Sequence, residues 1–408
     1  MVWPFSRFGR KKITSNPFYR EVFQALESKT GVNVNWRTAM EAVTAMACAR
    51  VISEGLAQIP CKLFSEVDEV RTVAKNNKKY KLIHDDPNDW MTSYDFFETM
   101  GLHLVFAHNF YCFINHDGEN IYELLPFEPQ QVTVKRDGWT LSYEVFTDTK
   151  MKQEIPAANM WHIRGPSWNT WEGLGGVKLA REAIGLAVAT QDHGARIFKN
   201  GAKIGGLLSS DQMLNKDKAR EVREAWDEVY GGNENTARTA VVWGGLKYEA
   251  MQMLNDNAQF NETRKFQVEE VCRAFRVMPI MVGYSDKTAT YASAEQMFLA
   301  HVVHTMGPWY ARIERSANKF LLSKKEKESG HYFKFLTQAL MRGASKDRAE
   351  YYSKALGSGG APAWMTQDEV RGLEELKRLG GSASELPIPT NVGGGTPPAG
   401  DTEDQVDA

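Results

Sequence analysis

Apolar residues recur at Phe298, Val302, Met306, Trp309, Ile313, Ala317 and Phe320, and the steps of 4, 4, 3, 4, 4 and 3 hold a helical period for about six turns. Gly307 and Pro308 fall inside this stretch. A proline in a helix interior removes one backbone hydrogen bond, so the pattern predicts a single long helix kinked there. Upstream, Phe266, Val268, Val271, Cys272, Phe275 and Met278 share one side of another helix, which stops at Met278-Pro279. A polar loop, Gly283 to Tyr291, joins the two. A long kinked helix behind a loop without a catalytic constellation reads as a mechanical element.

The rest of the chain alternates between helical and strand periods. A helix is expected from about Thr38 to Ala57, ending before Pro60, and Cys61 to Phe64 reads as a strand. Asp85-Asp86-Pro87-Asn88 is a turn, and Thr92 with Asp95 three residues on starts another helix as a weaker form of the capping box. Segments 110–114, 122–125, 132–134 and 141–145 alternate as strands, with Asp117-Gly118 and Asp137-Gly138 as hairpin turns. Residues 177–199 are helical, with Val177, Ala180, Ile184, Ala187, Ala195 and Phe198 on one face. A strand, a helix from Lys216 to Tyr230 and two further strands span roughly 204–253. After the kinked helix come a strand at 332–336 and two short helices, the second capped by Thr366 and Glu369 and ending at Gly380. Residues 1–28 start basic and aromatic without periodicity and read as a flexible arm; 380–408 are rich in Gly and Pro and are expected to be disordered.

Composition narrows the function. Of 408 residues, 42% are hydrophobic, enough for two or three domains or one elongated subunit with several parts. No apolar run is long enough for a transmembrane helix, and the first residues lack the apolar core of a signal peptide. Cys48, Cys61, Cys112 and Cys272 are scattered among apolar neighbours and read as buried thiols of a reducing cytoplasm. The net charge is −2, but 379–408 carry five acids and no base, leaving +3 on the remainder. Near neutrality argues against tight nucleic-acid binding and is compatible with DNA sliding past.

Known catalytic patterns are absent. There is no Gly-x-x-x-x-Gly-Lys-Ser/Thr loop for a nucleotide triphosphate. Gly173-Leu174-Gly175-Gly176 precedes a helix but lacks the third glycine of a dinucleotide loop and is read as a tight turn. His301 and His304 have no third metal ligand, and they are read as two polar residues beside the apolar stripe. Glu269 and Glu270 are adjacent on a helix and diverge, so they form no acid pair. No enzyme activity, cofactor or metal is expected.

In order, these segments resemble the portal proteins of tailed bacteriophages and related gene transfer agents, over about residues 45–379. The resemblance rests on Cys48 to Pro60; on Pro87-Asn88 with Met91-Thr92 and Phe96; on Leu124-Leu125-Pro126-Phe127-Glu128-Pro129 with Val132; on His162-Ile163-Arg164; on Phe198-Lys199-Asn200-Gly201-Ala202; on Phe275 to Pro279; and on Thr366, Glu369 and Arg371. Two places depart from the family pattern: Ala107-His108-Asn109 stands where Gly-Asn is usual, and Gly176-Val177 where Ser-Pro is common.

The resemblance implies an α+β, elongated portal-type subunit with wing, helical stem, small α/β clip, long kinked helix and α-helical crown. The first part of the wing would be 29–176, stem helix 1 177–199, the clip 200–256 and stem helix 2 257–283. The tunnel loop would be 284–293, the kinked helix 294–323, the returning wing strand 324–343 and the crown 344–379. It further implies a ring of twelve copies at one capsid vertex, a conduit whose contact with double-stranded DNA is transient and sequence-independent. Its expected partners are the terminase large subunit, a head-tail adaptor and the major capsid protein, in a virion or phage-like particle assembled in the host cytoplasm, with no membrane. Lys287, Thr288, Thr290 and Tyr291 would line the channel from the loop, and Glu269, Glu270, Arg273 and Arg276 from the stem. A different head-tail ring, and a hydrolase or nuclease of the packaging machinery, are the competing readings.

Overall fold

The protein is described here from a computed structural model, which covers residues 26–67, 70–146, 152–199, 207–210, 215–230, 245–249, 257–284, 291–337, 345–358, 361–374 and 376–387. The chain divides into two units, Met1–Leu336 and Thr337–Ala408.

The first unit opens with the two-stranded pair β1 (Leu26–Glu27) and β2 (Asn33–Val34), so ordered structure begins before the predicted end of the arm at residue 28. The expected helix from Thr38 is two helices, α1 (Trp36–Glu41) and α2 (Val43–Ala57). Asn35 starts the first, its side chain accepting the N–H groups of Arg37 and Thr38. At Ala42 the backbone turns extended, φ −74° and ψ 106°, and breaks the helical ladder. Continuous apolar periodicity across the break hid it.

The core is built on α2 and α4 (Ser93–Ala107), between which lie β3 (Cys61–Val67), β4 (Val70–Val73) and α3 (Lys78–His84). Helix α4 begins in a reciprocal capping box, tighter than the expected form: Thr92 Oγ1 accepts the Asp95 N–H, and the Asp95 carboxylate accepts the Thr92 N–H. Small residues let α2 and α4 meet closely. A Cβ at Gly101 would stand 2.5 Å from Ser53 Cα. Phe96, Phe110 and Trp161 pack edge-on and stacked behind this contact.

Strands β5 (Asn109–Asp117), β6 (Asn120–Phe127), β7 (Val132–Asp137) and β8 (Thr140–Phe146) follow the alternation of the sequence, with Gly118 and Gly138 at φ +58° and +57° in the two turns. Two more strands were not foreseen. β9 (Lys152–Pro156) pairs with β8, and β10 (Met160–Arg164) pairs with β5, each antiparallel. On β8, the buried Glu144 carboxylate is held between Lys135 of β7 at 2.7 Å and Lys152 of β9 at 2.5 Å.

Helices α5 (Gly176–Leu179) and α6 (Arg181–Lys199) follow. Ile184 is buried, while Ala195 is exposed and the side chain of Phe198 lies outside the described residues. In the predicted small unit, β11 (Leu207–Ser210) pairs with β12 (Leu246–Glu249), and α7 (Lys216–Tyr230) has the expected bounds. Its remaining predicted strand lies outside the described residues.

Then come α8 (Asn257–Phe275), α9 (Tyr291–Ala300), a π-helical segment (His301–Met306) and α10 (Gly307–Phe320). After α11 (Lys324–Glu328), β13 (His331–Phe335) joins the edge of β3, giving the order β13-β3-β4. Two of the outward N–H groups of β13 are covered: Asn318 Oδ1 accepts from Phe333 at 2.7 Å and Glu314 Oε1 from Phe335 at 2.8 Å.

The second unit contains α12 (Ser345–Ala355) and α13 (Gln367–Leu373). Thr366 and Glu369 form the expected capping box. The helix ends at Leu373, not Gly380, because the buried Asp368 carboxylate draws the chain back, accepting the N–H groups of Leu379 and Gly380 and the Ser384 hydroxyl. The same contacts order a short 3-10 turn, Gly381–Ser384, inside the stretch expected to be disordered. Residues 388–408 lie outside the described residues.

Candidate functional site

The predicted mechanical centre is the joint between α8 and the helix that follows the loop. Along α8, Val271, Cys272 and Phe275 are buried, but Phe266 is 56% exposed, so the predicted apolar side holds only near the C-terminal end. Cys272 lies 3.8 Å, sulfur to sulfur, from Cys48 on α2. All four cysteines are free and buried, as their neighbours in sequence suggested.

Past the end of α8, Arg276 takes a left-handed conformation, φ +57°, rare for a residue with a Cβ. Contacts from beyond the loop hold it there. Thr305 Oγ1 donates to the Arg276 carbonyl at 2.7 Å, and Arg276 Nη2 donates to the His304 carbonyl at 3.3 Å. His304 stands four residues before Pro308, whose ring nitrogen has no hydrogen to give. The guanidinium thus reaches a carbonyl one turn before the proline.

The helix behind the loop therefore deforms differently from the prediction. Pro308 lies inside an unbroken helical stretch, residues 291–320, and interrupts its hydrogen-bond ladder without ending it. The irregularity lies just upstream, in the π segment, where Gly307 N–H reaches back five residues to the Val302 carbonyl. The wider turn shifts the apolar stripe out of step. Met306, Ile313 and Ala317 are buried as predicted, whereas Phe298 is exposed and His301 and Thr305 take buried positions. His301 is thus inside the stripe and His304 outside it. Among the described residues no cluster of three metal-ligating side chains occurs.

Glu269, Arg273 and Arg276 line one cavity of about 390 Å³ with His304 and Thr305. Glu270 is ion-paired with Arg273 along the helix. Lys287, Thr288 and Thr290 lie outside the described residues; Tyr291 opens α9.

The glycine run at 173–176 has a packing role. A Cβ at Gly173 would lie 2.0 Å from the His108 carbonyl oxygen, and one at Gly176 would lie 1.9 Å from that of Val105. His108 ends α4 in the left-handed conformation, φ +53°, where glycine is sterically most at ease. This accounts for the departure at Ala107-His108-Asn109. Beside it, Asn109 Oδ1 accepts from Gly173 N–H at 2.8 Å and from His162 Nε2 at 3.0 Å, while Tyr143 Oη donates to His162 Nδ1 at 3.2 Å. Burial, with Arg164 nearby, holds His162 down at about 3; burial brings His103 to about 4, and burial with Arg312 does the same for His108.

Residues 43–375, which include both sides of this joint, match the sequence pattern of the phage portal protein family. The chain belongs to that family. A probable portal protein of Streptomyces phage phiC31 is 28% identical over 89% of this chain and 81% of its own length. The portal protein of Enterobacteria phage HK97 is also 28% identical, over 86% of this chain and 82% of its own. In fold the chain is similar to a chain from the neck of an empty gene transfer agent particle, solved with C6 symmetry. The TM-score is 0.58 at 19% identity, covering 84% of this chain and 92% of the other. The mixed helix-and-strand order described above is that of a portal-type subunit, and the family is structural, not enzymatic. Among the described residues no helix is long and apolar enough to cross a membrane.

Proposed function

We propose that this portal-family chain forms a ring of twelve at one capsid vertex, conducts double-stranded DNA during packaging and ejection, and serves as the docking platform for terminase and a head-tail adaptor. The observation that carries this reading is the joint: the segments before and after the loop are tied to one another through Arg276, His304 and Thr305, in a chain whose family match spans the joint. A loop held at its base by two helices is suited to the inner edge of a ring, where it meets a moving polymer without being pulled loose. The C6 symmetry of the similar particle neck is one that a ring of twelve satisfies.

On this reading α6 and α8 are the stem, 200–256 the clip, 284–293 the tunnel loop, and 344–379 the crown. The outer wing comprises 29–176 with the return strand, and the major capsid protein surrounds the ring. The stem presents Glu269, Glu270, Arg273 and Arg276 as mixed charge, which confines a polyanion without arresting it. Lys287 is the phosphate-facing charge of the loop, with Thr288, Thr290 and Tyr291 beside it. The chain itself carries out no catalysis; the motor's ATPase belongs to the terminase.

Mass photometry of the purified protein is expected to give large closed rings. A monomer that cleaves DNA with added metal would overturn the assignment. Lys287→Glu is expected to leave ring assembly unchanged and to lower the length of DNA packaged or retained. Full genomes retained at the normal rate would make the lysine a bystander.

A further inference from the structure

Away from the joint, a cleft of about 540 Å³ runs between the end of β10 with its following loop and the exposed side of α10. Four cations line it: Arg164, Arg312, Arg315 and Lys319. Among the described residues no acidic side chain is in its lining. None of the four has an ion-pair partner among the described residues. Glu314, adjacent to Arg315 in sequence, is occupied elsewhere, accepting the Phe335 N–H.

Two of the cations are fixed in place. Arg312 Nη1 donates to the carbonyls of Arg164 at 2.6 Å and Gly165 at 3.1 Å, and Arg164 Nη1 donates to the Thr170 carbonyl. Those bonds use one nitrogen of each guanidinium, and a guanidinium has five N–H donors in a planar fork. Burial and the nearby Arg164 charge both weaken the hold of Arg312 on its proton, as expected of positive groups brought together without compensation.

We propose that this cleft is a docking site for an acidic peptide segment of a partner protein, whose carboxylates bind Arg164, Arg312, Arg315 and Lys319. Three of the four cations are arginines, which match planar carboxylates through paired hydrogen bonds. The walls add Pro166 and Phe320, apolar surfaces that accept the side chains lying between acids in a peptide. A duplex would need a row of cations along an open face, spaced to follow phosphates; here they converge on one short cleft. This inference does not depend on the ring or on DNA conduction.

The test is fluorescence anisotropy at low salt on the full chain. Three fluorescein-labelled probes are compared: a short peptide alternating Glu and Leu, a single-stranded oligonucleotide and a duplex of equal charge. The peptide is expected to bind most tightly. Arg315→Glu with Lys319→Glu, both at exposed positions, should weaken it on the order of tenfold or more. Lys324→Glu with Lys325→Glu, the same charge change on α11 outside the cleft, should have a much smaller effect. Absence of peptide binding, or equal weakening by both pairs, overturns the proposal. Tighter binding of either oligonucleotide that is lost with Arg315→Glu and Lys319→Glu reassigns the cleft to nucleic acid. If peptide binding is unchanged while that pair abolishes self-association, the occupant is a neighbouring copy and the proposal fails.

Discussion

Acidification from neutral pH to about 4 should cost the first unit on the order of several kcal/mol, mainly through three buried histidines. His103 and His108 are held down at about 4 and His162 at about 3, against 6.5 for an ordinary imidazole. Between 6.5 and those values the unfolded chain takes up protons that the folded chain refuses, so stability falls as pH falls through this window. Each tenfold gap in proton affinity is worth about 1.4 kcal/mol, so each site costs about 3 kcal/mol by the bottom of the window. Together the three rival the whole net stability of a domain, about 5–15 kcal/mol.

Among the described residues no carboxylate acts on these imidazoles. His162 faces Tyr111, Tyr143, Asn109 and Arg164; His108 faces Trp309 and Arg312; His103 lies against Phe110. The ion-paired carboxylate Glu326 titrates lower: burial opposes the shift, but Lys79, Asn77 and the Ser323 N–H outweigh it and hold the group at about 2. Urea midpoints measured from pH 7 to 4.5 should fall steadily. His108→Asn, which keeps a residue tolerant of the left-handed backbone, should remove about one histidine's share of the slope. A flat profile in the parent chain would show that the imidazoles charge without penalty.

Gly101→Val should destabilise the same unit by at least about 3 kcal/mol. The new Cβ alone would sit 2.5 Å from Ser53 Cα and 2.7 Å from its Cβ, and one of those neighbours is backbone. Relief requires α2 and α4 to separate, since the nearest neighbours are Ser53 and Leu56 of α2. Gly118→Ala is the comparison. It has open space and only the positive φ of +58° to overcome, so it should cost about 1–2 kcal/mol. Thermal melts of the two variants would separate the mechanisms, and equal losses would mean that the helix contact adjusts without strain.

What could be read in the sequence was what local chemistry decides. Asp117-Gly118 and Asp137-Gly138 specify hairpins because their glycines enter the left-handed region. Thr92 and Thr366 cap helices because an acid stands three residues on in each case. The second half of the long helix kept its period, so Met306, Ile313 and Ala317 were placed correctly.

The features that were missed depend on contacts distant in sequence. Nothing local announces that Thr305 will donate to Arg276, or that the turn before Pro308 will widen and rotate His301 inward. Arg276 was read as a channel-facing charge, yet its guanidinium also reaches a carbonyl across the joint. Cys48 and Cys272 are 224 positions apart and touch. The basic cleft joins Arg164 to a helix face some 150 residues later, a convergence that no window along the chain contains. Lys287, Thr288 and Thr290, chosen from the order of elements alone, lie outside the described residues and rest on that order still.

The outer edge of β13 has a consequence for life at high copy number. An exposed strand edge is a template for another strand, and copies held side by side would meet it at very high local concentration. Here the outward amides of Phe333 and Phe335 are already engaged by Asn318 and Glu314. Two polar side chains on a helix thus occupy part of a seam along which crowded subunits could otherwise stitch together in the wrong register, while the apolar side of the same strand remains free to hold the core.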